Sequence, residues 1–192
     1  MAYQTAGRIA GRTAGTYARI FVAIAILIAA FVVGGCASKP SDNVMIADAR
    51  AAVVRFVDRD PSLQDWVNHA HGYAVFASMN KGGFGVGGSY GRGVVFERGE
   101  PVGTTSSVQG TVGLQIGVQN FSQIIFFQDD AALKTFQRGN FEFSAQATAI
   151  AVTAGAARTT SYEKGVAVFI MAKGGLMAEA SVGGQRFTYE PL

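Results

Sequence analysis

Apolar and polar residues change rhythm twice along this chain. From Ile20 to Val33 every residue is apolar, a run of 14. From Asp42 to Val57 the apolar residues Val44, Ala47, Ala51, Val54 and Val57 recur at steps of three and four. Asp48, Arg50, Arg55 and Asp58 fall between them. That spacing predicts an amphipathic helix. Asp60-Pro61 then supplies an N-cap and a proline at the first helical position, which starts a short second helix to about Ala70. Leu63 and Trp66 lie three apart on it and are its expected anchors to the core.

After Gly72 the period falls to two. Tyr73 to Ala77 is rich in strand formers, and in Thr111 to Gln119 every even position is apolar while every odd one is polar or glycine. This alternation predicts a strand with one buried face. Ile124-Ile125-Phe126-Phe127 is unbroken and predicts a strand covered on both sides. Asp129 or Asp130 caps a helix to about Arg138, closed by Gly139. Phe141 to Ala154 alternates again. Gly165 to Ala172 and Leu176 to Tyr189 supply further strands, with Lys173-Gly174-Gly175 as the hairpin turn between them. Strand–helix–strand alternation is absent, which argues against a parallel α/β sheet. The expected fold is α+β: a curved or barrel-like antiparallel β-sheet with N-terminal helices and one inserted helix.

Charge narrows the function classes. The chain carries 16 Lys+Arg and 13 Asp+Glu, a net charge of +3. Three of the basic residues, Arg8, Arg12 and Arg19, precede Cys36, and no acidic residue does. Behind Cys36 the charges therefore balance. No clustered positive field remains there, so nucleic acid is set aside as a partner.

Cys36 is the single cysteine. With Val33-Gly34-Gly35 before it, the apolar run behind that and arginines leading, the segment resembles a bacterial lipobox. The run is short for a permanent span, which needs roughly 20 residues. The resemblance implies a signal peptide over 1–35, a diacylglycerol or palmitate anchor on Cys36, a lipidated tether over 36–43 and a domain over 44–192. Acylation would leave no thiol for a disulfide. No Asp follows Cys36, which for this class implies the outer membrane, with the domain in the periplasm or at the cell surface.

Candidate catalytic chemistry is sparse. A formal G-x-G-x-x-G stands at Gly83, Gly85 and Gly88, but Val94-Val95-Phe96 follows as strand sequence rather than a phosphate-binding helix. The glycines instead permit curvature and close packing in a twisted sheet. His69 and His71 form an H-x-H without a cysteine and with only scattered carboxylates, so no metal site is expected. No serine sits in a nucleophile elbow, and Asp129-Asp130 reads as a helix cap. An enzyme and a cofactor are both unexpected.

Several blocks together resemble the SYLF domain: Gly72-Tyr73-Ala74-Val75-Phe76, Lys81 to Gly88, Tyr90-Gly91-Arg92-Gly93, Val112 to Gly117 with Gln119, Phe126-Phe127, Ala132-Leu133, Lys173 to Ala178 and Gly183-Gly184-Gln185. The resemblance runs from about Ala47 to Tyr189. It implies a phospholipid-binding module, phosphoinositide-directed in eukaryotic members, where an amphipathic N-terminal helix contributes to membrane contact. The chain lacks the SH3 or zinc-binding partner domain of eukaryotic members, which sets aside actin-related and endocytic roles.

Lys81 and Arg92 flank the glycine stretch, whose backbone N–H groups are candidates for an anion-binding concavity. Lys173 joins them if the loops converge. The three are the expected lipid-headgroup contacts. The expected function is non-enzymatic phospholipid binding by an outer-membrane lipoprotein. The alternative is an interaction lipoprotein that scaffolds another cell-envelope protein. An apolar cavity lined by Phe84, Leu114, Ile116 and Phe126 would favour lipid holding, and a packed interior with a flat apolar patch would favour a protein partner.

Overall fold

A computed structural model describes residues 41–139 and 149–192. Cys36, the leader and most of the tether lie outside the described residues, as does the start of the alternating segment at Phe141. Residues Ser41–Leu192 form one compact unit. Helix α1 spans Asp42–Arg59 and so begins two residues inside the stretch read as tether; α2 spans Leu63–His69. Two long strands follow, β1 (Gly72–Glu97) and β2 (Glu100–Phe127). Then come α3 (Asp130–Gln137), a short β3 (Ala149–Ala151), a 3-10 turn over Ala156–Thr159, and a third long strand, β4 (Val166–Pro191).

Hydrogen bonding orders the sheet β1-β2-β4-β3. The three long strands are antiparallel, whereas β3 runs parallel to β4. The sheet has two edges and does not close into a barrel. It is instead folded sharply over on itself. The second half of β1 returns past the first so closely that a Cβ on Gly93 would lie 2.5 Å from the Val75 carbonyl oxygen. At the end of the return, the Arg98 N–H donates to the His71 carbonyl at 3.1 Å. Glycine is required where two backbones approach this closely.

The expected hairpin at Lys173-Gly174-Gly175 does not exist. The two strands predicted on either side of it are one strand, β4. Lys173 is the extra residue of a bulge, because Asn120 pairs with Gly174 and Phe121 with Ala172. The glycines there bend a continuous strand rather than end it.

Folding-over gives the sheet two packed faces. On the outer face Tyr73, Val75, Val94, Phe96, Ile124, Phe126 and Phe169 pack against Met45, Ala49, Ala52 and Phe56 of α1 and Leu63 of α2. Between the folded halves Phe76, Met79, Val95, Ile125, Phe127 and Phe187 pack with Leu133 and Phe136 of α3. The Ile124–Phe127 run is covered on both sides, as its composition predicts. Leu63 is buried, and the Trp66 indole packs on Phe126, Tyr162 and Phe169 and donates to the Ala157 carbonyl at 3.2 Å.

Helix α1 packs on the sheet, but not with the face its spacing suggests. Val44, Ala47, Ala51 and Val54 are exposed, and the buried stripe is Met45, Ala49, Ala52 and Phe56. Both stripes have helical spacing, and the bulkier side chains take the core.

Candidate functional site

The fold-over occurs at Gly85 of β1, with φ +70°, and near Gly113 and Gly117 of β2, with φ +149° and +127°. At this bend Phe84 pairs with Ile116 and Val86 with Val112, while Leu114 stands between them and Val118 faces Gly82. Paired residues of an antiparallel ladder share a face. The six apolar side chains therefore form one patch, and they are 57 to 82% exposed.

This reverses the expectation that the even positions of Thr111–Gln119 are the buried face. The alternation is real, but it is the opposite face, with buried Thr111, that turns between the folded halves. On that face Gly83 stands opposite Gly117 and Gly87 opposite Thr111. The apolar cavity envisaged around Phe84, Leu114, Ile116 and Phe126 is likewise absent. The first three lie on the surface, and Phe126 is fully buried in the outer core.

A polar shoulder lies behind the patch on the same outer face. Tyr90 and Val108 pair and are about half exposed, and Arg186 pairs with Val108 from β4. Arg92 pairs with Ser106 two residues further back. No carboxylate occurs between Gly72 and Phe96 or between Pro101 and Phe127. The sequence thus runs outward from basic through aromatic to purely apolar as the bend is approached.

The three expected headgroup residues lie in different places. Arg92 is on the outer face. Lys81 lines an inner cavity of about 350 Å³ with Gln109, Gln119, Gln123 and Gln185. Lys173 is exposed and donates to the Ala77 carbonyl at 3.2 Å. The glycine stretch between Lys81 and Arg92 is strand, so its N–H groups belong largely to a sheet ladder and the formal nucleotide motif opens no helix. In the inner cavity Gln185 donates to Ser107 Oγ at 2.7 Å and to Gln123 Oε1 at 3.2 Å, tying the folded halves together.

Two polar centres escaped the sequence reading. Asp60 is buried, and α2 begins at Leu63, so Asp60 is no ordinary N-cap. Its carboxylate accepts from Ser62 N–H and Oγ and from the N–H groups of Gly155 and Ala157. Burial alone would raise its pKa. The hydrogen bonds from the Ser62 hydroxyl and from the Ala157, Gly155 and Ser62 backbone outweigh that and hold it below the ordinary 3.8.

The second centre joins His71, Glu97 and Asp130. The His71 Nε2 lies 3.3 Å from Glu97 Oε1 and 3.8 Å from Asp130 Oδ1. His69 has another partner, the Asp65 carbonyl, 2.8 Å from its Nδ1. The H-x-H spacing therefore joins two imidazoles with different surroundings. Asp129 caps α3 as predicted, accepting from the Ala132 N–H at 2.9 Å.

The half of the domain that carries the far side of the bend, α3 and β4 has a family match. Residues 108–190 match the Ysc84 family, described as Las17-binding protein actin regulator. Beta cell expansion factor A of Aeromonas veronii is 27% identical to the chain over 140 residues, covering 72% of the chain and 53% of that protein. The chain spans about half the length of this relative.

Proposed function

We propose that this domain binds phospholipid membranes peripherally, by seating the apolar bend in the bilayer surface. The match of residues 108–190 to the Ysc84 family supports a lipid or actin-regulator type of binding role. The observation that carries the finer reading is the exposed patch of Phe84, Val86, Val112, Leu114, Ile116 and Val118. Full burial of one such side chain is worth about 1.5–3 kcal/mol, so half-burial of six supplies roughly 4–9 kcal/mol before ordering costs. Tyr90 suits the headgroup boundary, and Arg92 and Arg186 suit anionic headgroups.

Among the described residues no helix is long and apolar enough to cross a membrane. The buried stripe of Met45, Ala49, Ala52 and Phe56 gives α1 a packing role. Acylation of Cys36 would supply a second attachment. A protein-borne apolar patch would add to the hold of the acyl chains at the membrane surface. In that arrangement the protein is an outer-membrane lipoprotein.

Scaffolding of an envelope protein through the same patch is the second reading, favoured by the packed interior. Co-sedimentation of residues 41–192 with vesicles separates the two. Leu114→Asp with Ile116→Asp should lower binding more than tenfold on both neutral and anionic vesicles, and Arg92→Ala with Arg186→Ala only on anionic ones. Unchanged binding by the bend variant would remove the bilayer reading and leave the protein partner.

A further inference from the structure

We propose that His71, Glu97 and Asp130 form a binding site for one divalent transition-metal ion of the zinc class. The three donors come from the two ends of β1 and the start of α3. His71 stands at the entrance to β1, Glu97 at the end of β1, and Asp130 on the first turn of α3. The ligand atoms all lie within 4.8 Å of one another.

Their spacing is that of a coordination shell. Ligand atoms about 2.0–2.1 Å from a tetrahedral zinc ion stand roughly 3.3–3.4 Å apart. The His71 to Glu97 separation is 3.3 Å and the His71 to Asp130 separation is 3.8 Å.

The chemistry of the donors points the same way. The His71 Nε2 is buried and makes no hydrogen bond, although a carboxylate oxygen lies 3.3 Å away. A buried ring nitrogen without a hydrogen bond requires an explanation, and a metal ion accounts for it. Lys134 Nζ engages Asp130 Oδ2 at 2.7 Å, which leaves Oδ1 as the oxygen nearer His71. One neutral imidazole and two carboxylates balance a dication and leave a coordination position for water.

Local backbone supports the arrangement. Arg98 (φ 51°) and Gly99 (φ 86°) make a two-residue hairpin turn that fixes Glu97 opposite Glu100. The His71 N–H donates to the Phe127 carbonyl at 3.0 Å, which fixes the histidine backbone next to the chain entering α3. A surface cleft of about 610 Å³, lined by His71, Arg98, Gly99 and Gln128, gives an ion an approach. A bound ion would tie the start of α3 to the turn between β1 and β2, far along the strands from the bend.

The test is titration of the chelator-treated full chain in detergent with Zn²⁺, and in parallel with Co²⁺. The parent chain should take up one equivalent, with a melting temperature raised by about 4 °C at saturation and an intense visible Co²⁺ spectrum of low coordination number. Glu97→Gln, which preserves shape, and His71→Ala should each weaken uptake tenfold or more, with circular dichroism confirming the fold. His69→Ala should bind as the parent does. Absence of saturable uptake by the parent, or undiminished uptake by Glu97→Gln, would overturn the proposal.

Discussion

The Asp60 carboxylate accepts four hydrogen bonds. It joins the start of α2 to the 3-10 turn at Ala156–Thr159, about 95 residues away in sequence. Its depressed pKa has a definite consequence. The stabilisation is fully present above the ordinary value of 3.8 and is lost as pH falls through the lower folded value. Asp60→Asn should destabilise the domain by about 1–3 kcal/mol at pH 7. Urea unfolding should show that difference shrinking below pH 3.8, where the parent loses its own advantage; a constant difference would contradict this role. Close backbone approach sets the other residue-level expectation. A Cβ on Gly93 would meet the Val75 carbonyl at 2.5 Å, so Gly93→Ala should cost about 1–3 kcal/mol, read as a lowered melting temperature. Neither role is legible locally. The sequence shows an Asp-Pro start signal and a glycine in a strand, and the partners of both are supplied only by the fold.

Helices and strands were legible to unequal degrees. The period of α1, the Asp129 cap of α3 and the doubly covered Ile124–Phe127 segment all follow from local chemistry. Which stripe of α1 faces the core does not, because Val44-Ala47-Ala51-Val54 and Met45-Ala49-Ala52-Phe56 have equally good spacing. Phe56→Ala should cost about 3–5 kcal/mol, and Val54→Ala less than about 0.5 kcal/mol, measured by denaturant unfolding. The reverse order would mean that α1 packs through the other stripe. The glycines of β4 mislead in the same way. Lys173-Gly174-Gly175 has hairpin composition, yet the register carries β4 through it with a single bulge. Glycine permits a turn and a bend alike, and pairing with β2 along its whole length decides for the bend.

For the whole molecule, the decisive feature is a sheet folded until its halves touch. The inner side near the bend is left to glycine and polar residues, and the alternating apolar residues are turned to the outside. An ordinary two-layer fold would have buried them, so period alone gave the right strand and the wrong face. The SYLF resemblance covers nearly the whole domain, and the family match confirms it over residues 108–190. The expected headgroup trio of Lys81, Arg92 and Lys173 is divided among the inner cavity, the outer face and a backbone contact. Arg92 with Arg186 is the better-placed basic pair, because both stand on the face that carries the patch.

Insertion of the bend is read most directly by an environment-sensitive fluorophore attached to Leu114→Cys in residues 41–192, a segment without another cysteine. Added phospholipid vesicles should shift its emission to the blue and protect it from aqueous quencher, while a label at exposed Val54→Cys on α1 stays unchanged. Emission from position 114 that remains water-like at saturating lipid, whether the vesicles are neutral or anionic, would contradict the assignment of this surface to the membrane.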